Sequence, residues 1–139
     1  MNPHDAYRRS SVYTTPLHVL LSQLHRQAGV FTRQAAEFAA NGDTINARKH
    51  IQYTEDIIAF LRSSLDMSLE VSQKTDATYS YYYNILVQWF LDPSVVPDEY
   101  SAMLEFWDSW ATTWAQASSA ASNERAYIKI PHDSSPSPD

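Results

Sequence analysis

A chain of 139 residues, 44% of them apolar, is long enough for one domain with its own core. It has no cysteine, which excludes disulfides, thiolate nucleophiles and thiolate metal sites, and only two glycines, which speaks against a strand-and-turn architecture. The net charge of −6 is uneven, with seven Lys/Arg against five Asp/Glu in residues 1–65 and three against eleven in residues 66–139; without a basic stripe, nucleic acid is not an expected partner.

Residues 1–14 read as a polar N-terminal arm, or a short cap helix, with Tyr7, Val12 and Tyr13 scattered through it. It lacks the apolar core of a signal peptide, and polar residues follow its Arg8–Arg9 pair. No apolar run approaches a membrane span, so the expectation is a cytoplasmic protein without membrane insertion. Thr15 is a candidate N-cap, and Pro16 suits a first helical turn, where its missing N–H costs nothing. A helix is predicted from there to about residue 41. Its seam is Leu17, Leu21, Leu24, Ala28, Phe31, Ala35 and Phe38, in alternating steps of four and three. Gly42 is a natural C′ residue, and Asp43 an N-cap for the next helix.

The second helix, about 44–65, carries two stripes. One is Ala47, Ile51, Thr54, Ile58, Leu61 and Leu65; the other, on roughly the opposite side, is Tyr53, Ile57 and Phe60. The third, about 69–91, contains DATYSYYYNILVQWF, with Tyr79, Tyr82, Tyr83, Leu86, Trp89 and Phe90 on one broad arc and Tyr81 and Ile85 pointing away from it. DPSVVPD ends it. A fourth helix, about 98–120, aligns Tyr100, Met103, Leu104, Trp107, Trp110, Ala111 and Trp114. Four tryptophans bring N–H groups that need acceptors when buried, which predicts some at the rim. Beyond residue 121 the chain turns polar and ends in a run of serine, proline and aspartate, a composition that cannot repay the entropy of ordering. The predicted fold is all-α: an antiparallel four-helix bundle over residues 15–121, with the arm at 1–14 and a flexible, disordered tail at 122–139.

Sites for chemistry are not evident. His18 and His25 stand seven apart without a third ligand at metal spacing, and the histidines read as surface residues. No metalloprotease, phosphate-loop or nucleophile-elbow motif occurs. Glu55–Asp56, Asp98–Glu99 and Glu105/Asp108 read as solvated faces and helix-start charges. Neither enzymatic activity nor a cofactor or metal is expected. The second stripes are different. A bundle helix needs one inward arc, so Tyr53, Ile57, Phe60, Tyr81 and Ile85 must meet a cap, another subunit or a partner helix.

In their order the residues resemble the FliS family of flagellin-specific export chaperones, over about residues 6–116. The arm carries Ala6, Tyr7, Ser11, Val12, Thr14, Thr15 and Pro16 of the family pattern. Leu20, Leu21, Leu24 and Ala28 follow in the first helix, then Gly42–Asp43, then Ile57, Ile58, Leu61, Leu65 and Asp66. Tyr79, Tyr81, Tyr83 and Leu86 match the tyrosine run, and Asp108 and Trp110 the final motif. Two positions depart from the family: its Tyr-Asp-Gly is His25-Arg26-Gln27 here, and its Arg-Arg pair is Asn84-Ile85.

The resemblance implies a cytosolic protein that wraps the disordered C-terminal segment of flagellin around a helical bundle. It would hold that client unpolymerised and present it to the flagellar export gate, without a nucleotide. The client-binding residues are then Tyr7, Val12, Tyr53, Ile57, Phe60, Tyr81 and Ile85, with Tyr7 and Val12 covering a groove until the client displaces them. The resting state is expected to be a monomer or weak homodimer. The alternatives are a helical adaptor that dimerises through the same faces and a chaperone for a different filament protein.

Overall fold

The structure is a computed structural model and describes residues 17–116. Four helices fill this span: α1 (Leu17–Ala40), α2 (Thr44–Ser63), α3 (Glu70–Leu91) and α4 (Tyr100–Ala115). No strand occurs among the described residues, and the architecture is the predicted all-α bundle. α1 packs closely along both α2 and α4, and α2 along α3. Links between neighbours fix the antiparallel order. Arg62 of α2 pairs with Asp76 of α3 at one end, and Arg48 donates to the Phe90 carbonyl at the other.

The first turn forms as the residue types predict. Gly42 has φ +74°, the left-handed conformation that costs a glycine least. Its N–H donates to the Ala39 carbonyl and the Asp43 N–H to the Phe38 carbonyl, the paired bonds of a Schellman C-terminus. Asp43 then caps α2 by accepting from the Asn46 N–H at 3.1 Å, and from the Asn46 side chain at 2.7 Å. These hydrogen bonds to its charged form hold the Asp43 carboxyl below the usual carboxylate range. The link between α3 and α4 folds back on α3: the Trp89 indole N–H donates to the Pro93 carbonyl at 3.1 Å, with Pro93 buried beneath.

The core runs down the bundle axis. α1 contributes Leu21, Ala28 and Ala35; α2 Ala47, Ile51, Ile58 and Leu61; α3 Tyr79, Leu86 and Trp89; α4 Met103, Trp107, Ala111 and Trp114. The other apolar residues of the predicted α1 seam (Leu17, Leu24, Phe31 and Phe38) are only half-buried. Their places inside are taken by Ser22, His25, Gly29 and Thr32, all buried.

The histidines are the main correction. The sequence pattern places His18 and His25 at the surface, yet both are buried, and His25 has no exposed area at all. Its Nδ1 lies 2.7 Å from the Leu21 carbonyl oxygen and its Nε2 2.8 Å from the Tyr79 hydroxyl. A carbonyl only accepts, so Nδ1 carries the proton, and Nε2 accepts from the tyrosine. The ring stacks on Trp110 at 5.7 Å and lies 6.1 Å from Trp107. Burial lowers its pKa to about 4, against the opposing effect of the Leu21 hydrogen bond. The tryptophans follow the expectation of a core stripe with some of its rings at the rim. Only Trp110 is half-buried, and the buried Trp107 Nε1 has no acceptor among the described residues.

Candidate functional site

A bundle leaves its outer helix flanks to solvent, and two of them here are apolar. On α2 the buried residues Ala47, Ile51, Thr54, Ile58 and Leu61 define the inward line. At about 100° per residue, Tyr53, Ile57 and Phe60 fall some 80–140° to one side of that line, while Arg48 and Arg62 fall to the other. The stripe therefore flanks the core line; it does not lie opposite it, as the sequence suggested. The contacts agree. Arg48 and Arg62 reach α3, whereas the Tyr53 ring lies 5.0 Å from Phe31 of α1. Tyr53 and Phe60 are about two-fifths exposed, at 39% and 40%, and Ile57 is half-buried against the core.

This flank extends beyond the predicted residues. His50 joins it, 5.2 Å from Tyr53 and 4.9 Å from Phe38, with its Nδ1 2.7 Å from the Asn46 carbonyl oxygen. Phe31, Phe38, His50 and Tyr53 thus form an aromatic strip where α1 meets α2. The available signal was the seven-residue spacing of Leu24, Phe31 and Phe38, which runs beside that of Leu21, Ala28 and Ala35 and marks the edge of the stripe.

The second flank lies on α3. Tyr81 is 52% exposed, and its ring lies 5.1 Å from Tyr82. Tyr82 in turn lies 4.9 Å from Phe106 of α4. Half-burial, together with the adjacent Tyr81 phenol and the Glu105 carboxylate, raises the Tyr82 pKa, so the ring stays a neutral phenol. Ile85 is half-buried and packs against the core beside these rings. Tyr81 and Ile85 therefore belong to the α3/α4 side, away from Asp76 and the α2 contact.

The two flanks do not form one continuous track. α1/α2 and α3/α4 are opposite seams of the bundle. Tyr53, Ile57 and Phe60 line one, Tyr81 and Ile85 the other. Tyr7 and Val12 lie outside the described residues. Among the described residues, no three His, Asp or Glu side chains gather into a group that could hold a metal ion, and no helix is long and apolar enough to cross a membrane. Both flanks present aromatic side chains with an apolar body and, in the tyrosines, a polar tip.

The family model described as Flagellar protein FliS matches residues 1–121. No curated protein matches the chain.

Proposed function

Because the chain belongs to the FliS family of flagellar export chaperones, we propose that it binds the disordered C-terminal segment of a flagellin in the cytosol. It keeps that segment from polymerising until export. The observation that supports this reading is the pair of exposed aromatic flanks on opposite seams, Tyr53/Phe60 and Tyr81. An amphipathic helix laid on either seam would bury its own i, i+3, i+4 and i+7 anchors between the ridges. Each fully buried anchor is worth about 1.5–3 kcal/mol before ordering costs. Folding a disordered segment costs at least about 2–5 kcal/mol, so several anchors are needed, and a second seam adds to their number. A client that uses both must pass around the bundle. Tyr7 and Val12 of the arm cover part of this surface in the resting protein and are displaced by the client.

Titration calorimetry with a flagellin C-terminal peptide tests the reading. Binding should show a negative heat-capacity change and weak salt dependence, and the peptide should gain helix. Tyr53→Ser and Tyr81→Ser should each weaken binding several-fold, and together more, with melting temperatures nearly unchanged. No binding, or binding indifferent to both changes, would rule the reading out. A protein that dimerises and ignores the peptide would be an adaptor instead.

A further inference from the structure

His25 of α1 and His50 of α2 are held in the same way, and only one of them is complete. Each turns Nδ1 to the carbonyl oxygen four residues earlier, Leu21 and Asn46, at 2.7 Å in both cases. A carbonyl only accepts, so Nδ1 carries the proton, and Nε2 of the neutral ring is left as an acceptor. In His25 that acceptor is used: the Tyr79 hydroxyl donates to it at 2.8 Å. In His50 no donor stands against Nε2 among the described residues. The ring is half-buried, and its Nε2 is not sealed from solvent.

The surroundings of this acceptor set what can use it. The His50 ring lies 4.9 Å from Phe38, 5.2 Å from Tyr53 and 6.0 Å from Phe31, so the aromatic strip of the α1/α2 seam frames it. With Nδ1 turned back on its own helix, Nε2 is directed away from the α2 backbone. Such an acceptor is satisfied while water reaches it. A covering helix that excludes the water makes it costly, unless that helix brings a donor.

We propose that His50 is a specificity-determining residue of the α1/α2 seam: its Nε2 accepts a hydrogen bond from an uncharged donor on the client helix, the side chain of a Ser, Thr, Asn or Gln. This rests on the reading that a flagellin C-terminal segment lies on that seam. His25 shows the chemistry, because inside the bundle the same arrangement is completed by a hydroxyl. A cationic donor fits less well. It would give up water among the rings, and the exposed Lys49, outward of Tyr53 on the same flank by helical phase, adds like charge. A client helix that sets an apolar residue against Nε2 leaves a buried acceptor unpaired and is discriminated against. The apolar anchors give affinity, and this one polar contact fixes register.

The test is a double-mutant cycle with the full chain and a flagellin C-terminal peptide, read by titration calorimetry. His50→Phe keeps a ring in the strip and removes the acceptor; His50→Gln keeps an acceptor at about the reach of Nε2. On the peptide, each Ser, Thr, Asn, Gln, Lys and Arg is replaced by Ala in turn. His50→Phe should weaken the parent peptide about five- to tenfold. Its melting temperature should stay nearly unchanged, since the Asn46 carbonyl keeps its bond within α2. At one uncharged position, Ala should weaken binding to the parent protein by a similar factor and have no further effect on His50→Phe. His50→Gln should recover most of the affinity. The nitrogen NMR resonance of His50 Nε2 should move on binding the parent peptide and not on binding that Ala peptide. Equal affinity of the parent and His50→Phe overturns the proposal, and the client reading then stands or falls by Tyr53→Ser. A loss that couples to no peptide position, or that His50→Gln does not recover, means that His50 acts by packing alone and overturns it too. So does coupling to a Lys or Arg of the peptide. A parent protein that does not bind the peptide removes the client reading, and this proposal with it.

Discussion

The seams around α1 and the seam between α3 and α4 are built on opposite plans. α1 meets its neighbours through small residues: Ser22, Ala28, Gly29, Thr32 and Ala35 are buried on it, Ala47 and Thr54 on α2, Ala111 on α4. Backbones come close, and Ser22 hydrogen-bonds the Ala111 carbonyl directly across the gap at 2.7 Å. α3 and α4 approach each other less closely and are joined by rings. Tyr82 lies 4.9 Å from Phe106, Tyr79 5.9 Å from Phe106, and Trp89 6.1 Å from Tyr100. A close seam is limited by how little its side chains occupy, so adding atoms damages it. A ring seam depends on what its side chains fill, so removing atoms damages it.

The largest expected effect is on the ring side. Trp107 and Leu86 have no exposed area. Trp107→Ala should cost about 3–5 kcal/mol and Leu86→Ala about 2–5 kcal/mol, through the cavities they leave. Thermal or urea unfolding measures both. If Trp107→Ala cost less than about 1 kcal/mol, the rings would be surface decoration and the contrast between the seams would collapse.

His25 joins the two plans. It sits on α1, bonds Tyr79 of α3 and stacks on Trp110 of α4. Its folded pKa of about 4 lies below the ordinary histidine value of 6.5. Between those two pH values the unfolded chain binds the proton and the folded one does not, so stability falls as pH drops from about 6.5 to 4. The shift amounts to about 3 kcal/mol, fully present above about pH 6.5 and lost by about pH 4. Paired melts of the parent and His25→Phe across that window should show the parent losing more stability. Parallel curves would mean that water reaches the ring.

How much of this the sequence disclosed follows from what periodicity can detect. Gly42 and Asp43 placed the first turn, because each residue type has a local reason for its place; Thr15 and Pro16, read as the start of α1, lie outside the described residues. Leu21, Ala28 and Ala35 were legible as a seam. His25 was not, since a pattern of apolar residues omits a side chain whose two nitrogens are satisfied inside; its position four after Leu21 and three before Ala28 was the available hint. The same blindness hid Ser22 and Thr32, the latter donating to the Ala28 carbonyl at 2.7 Å. The aromatic flanks were legible only in part. Helical phase isolated Tyr53, Phe60 and Tyr81, but which neighbour each flank faces depends on the order of helices around the axis, and no single helix encodes that. Ile57 and Ile85 show the limit, as off-seam residues that still reach the core.

The close seams give the smaller and sharper predictions. Ala35 has no exposed area, so Ala35→Leu forces α1 away from its neighbours and should cost about 1–3 kcal/mol. Gly29 has two opposing requirements. A Cβ there would stand 3.4 Å from the Trp107 Cβ, 3.6 Å from the Arg33 guanidinium and 3.7 Å from the Asp108 carboxylate, which is ordinary contact. Its φ is not in the left-handed region, so alanine suits the backbone. In a helix interior alanine is better than glycine by about 0.8–1 kcal/mol. Gly29→Ala should therefore raise stability by up to that amount, the smallest effect of the set and the one whose sign is most telling. Gly29→Leu should do the reverse, since a larger side chain must displace Trp107 or the Arg33–Asp108 pair. Chemical unfolding of the two variants decides it. If alanine already destabilises, α1 and α4 lie closer than this geometry allows, and glycine is required at that position for space.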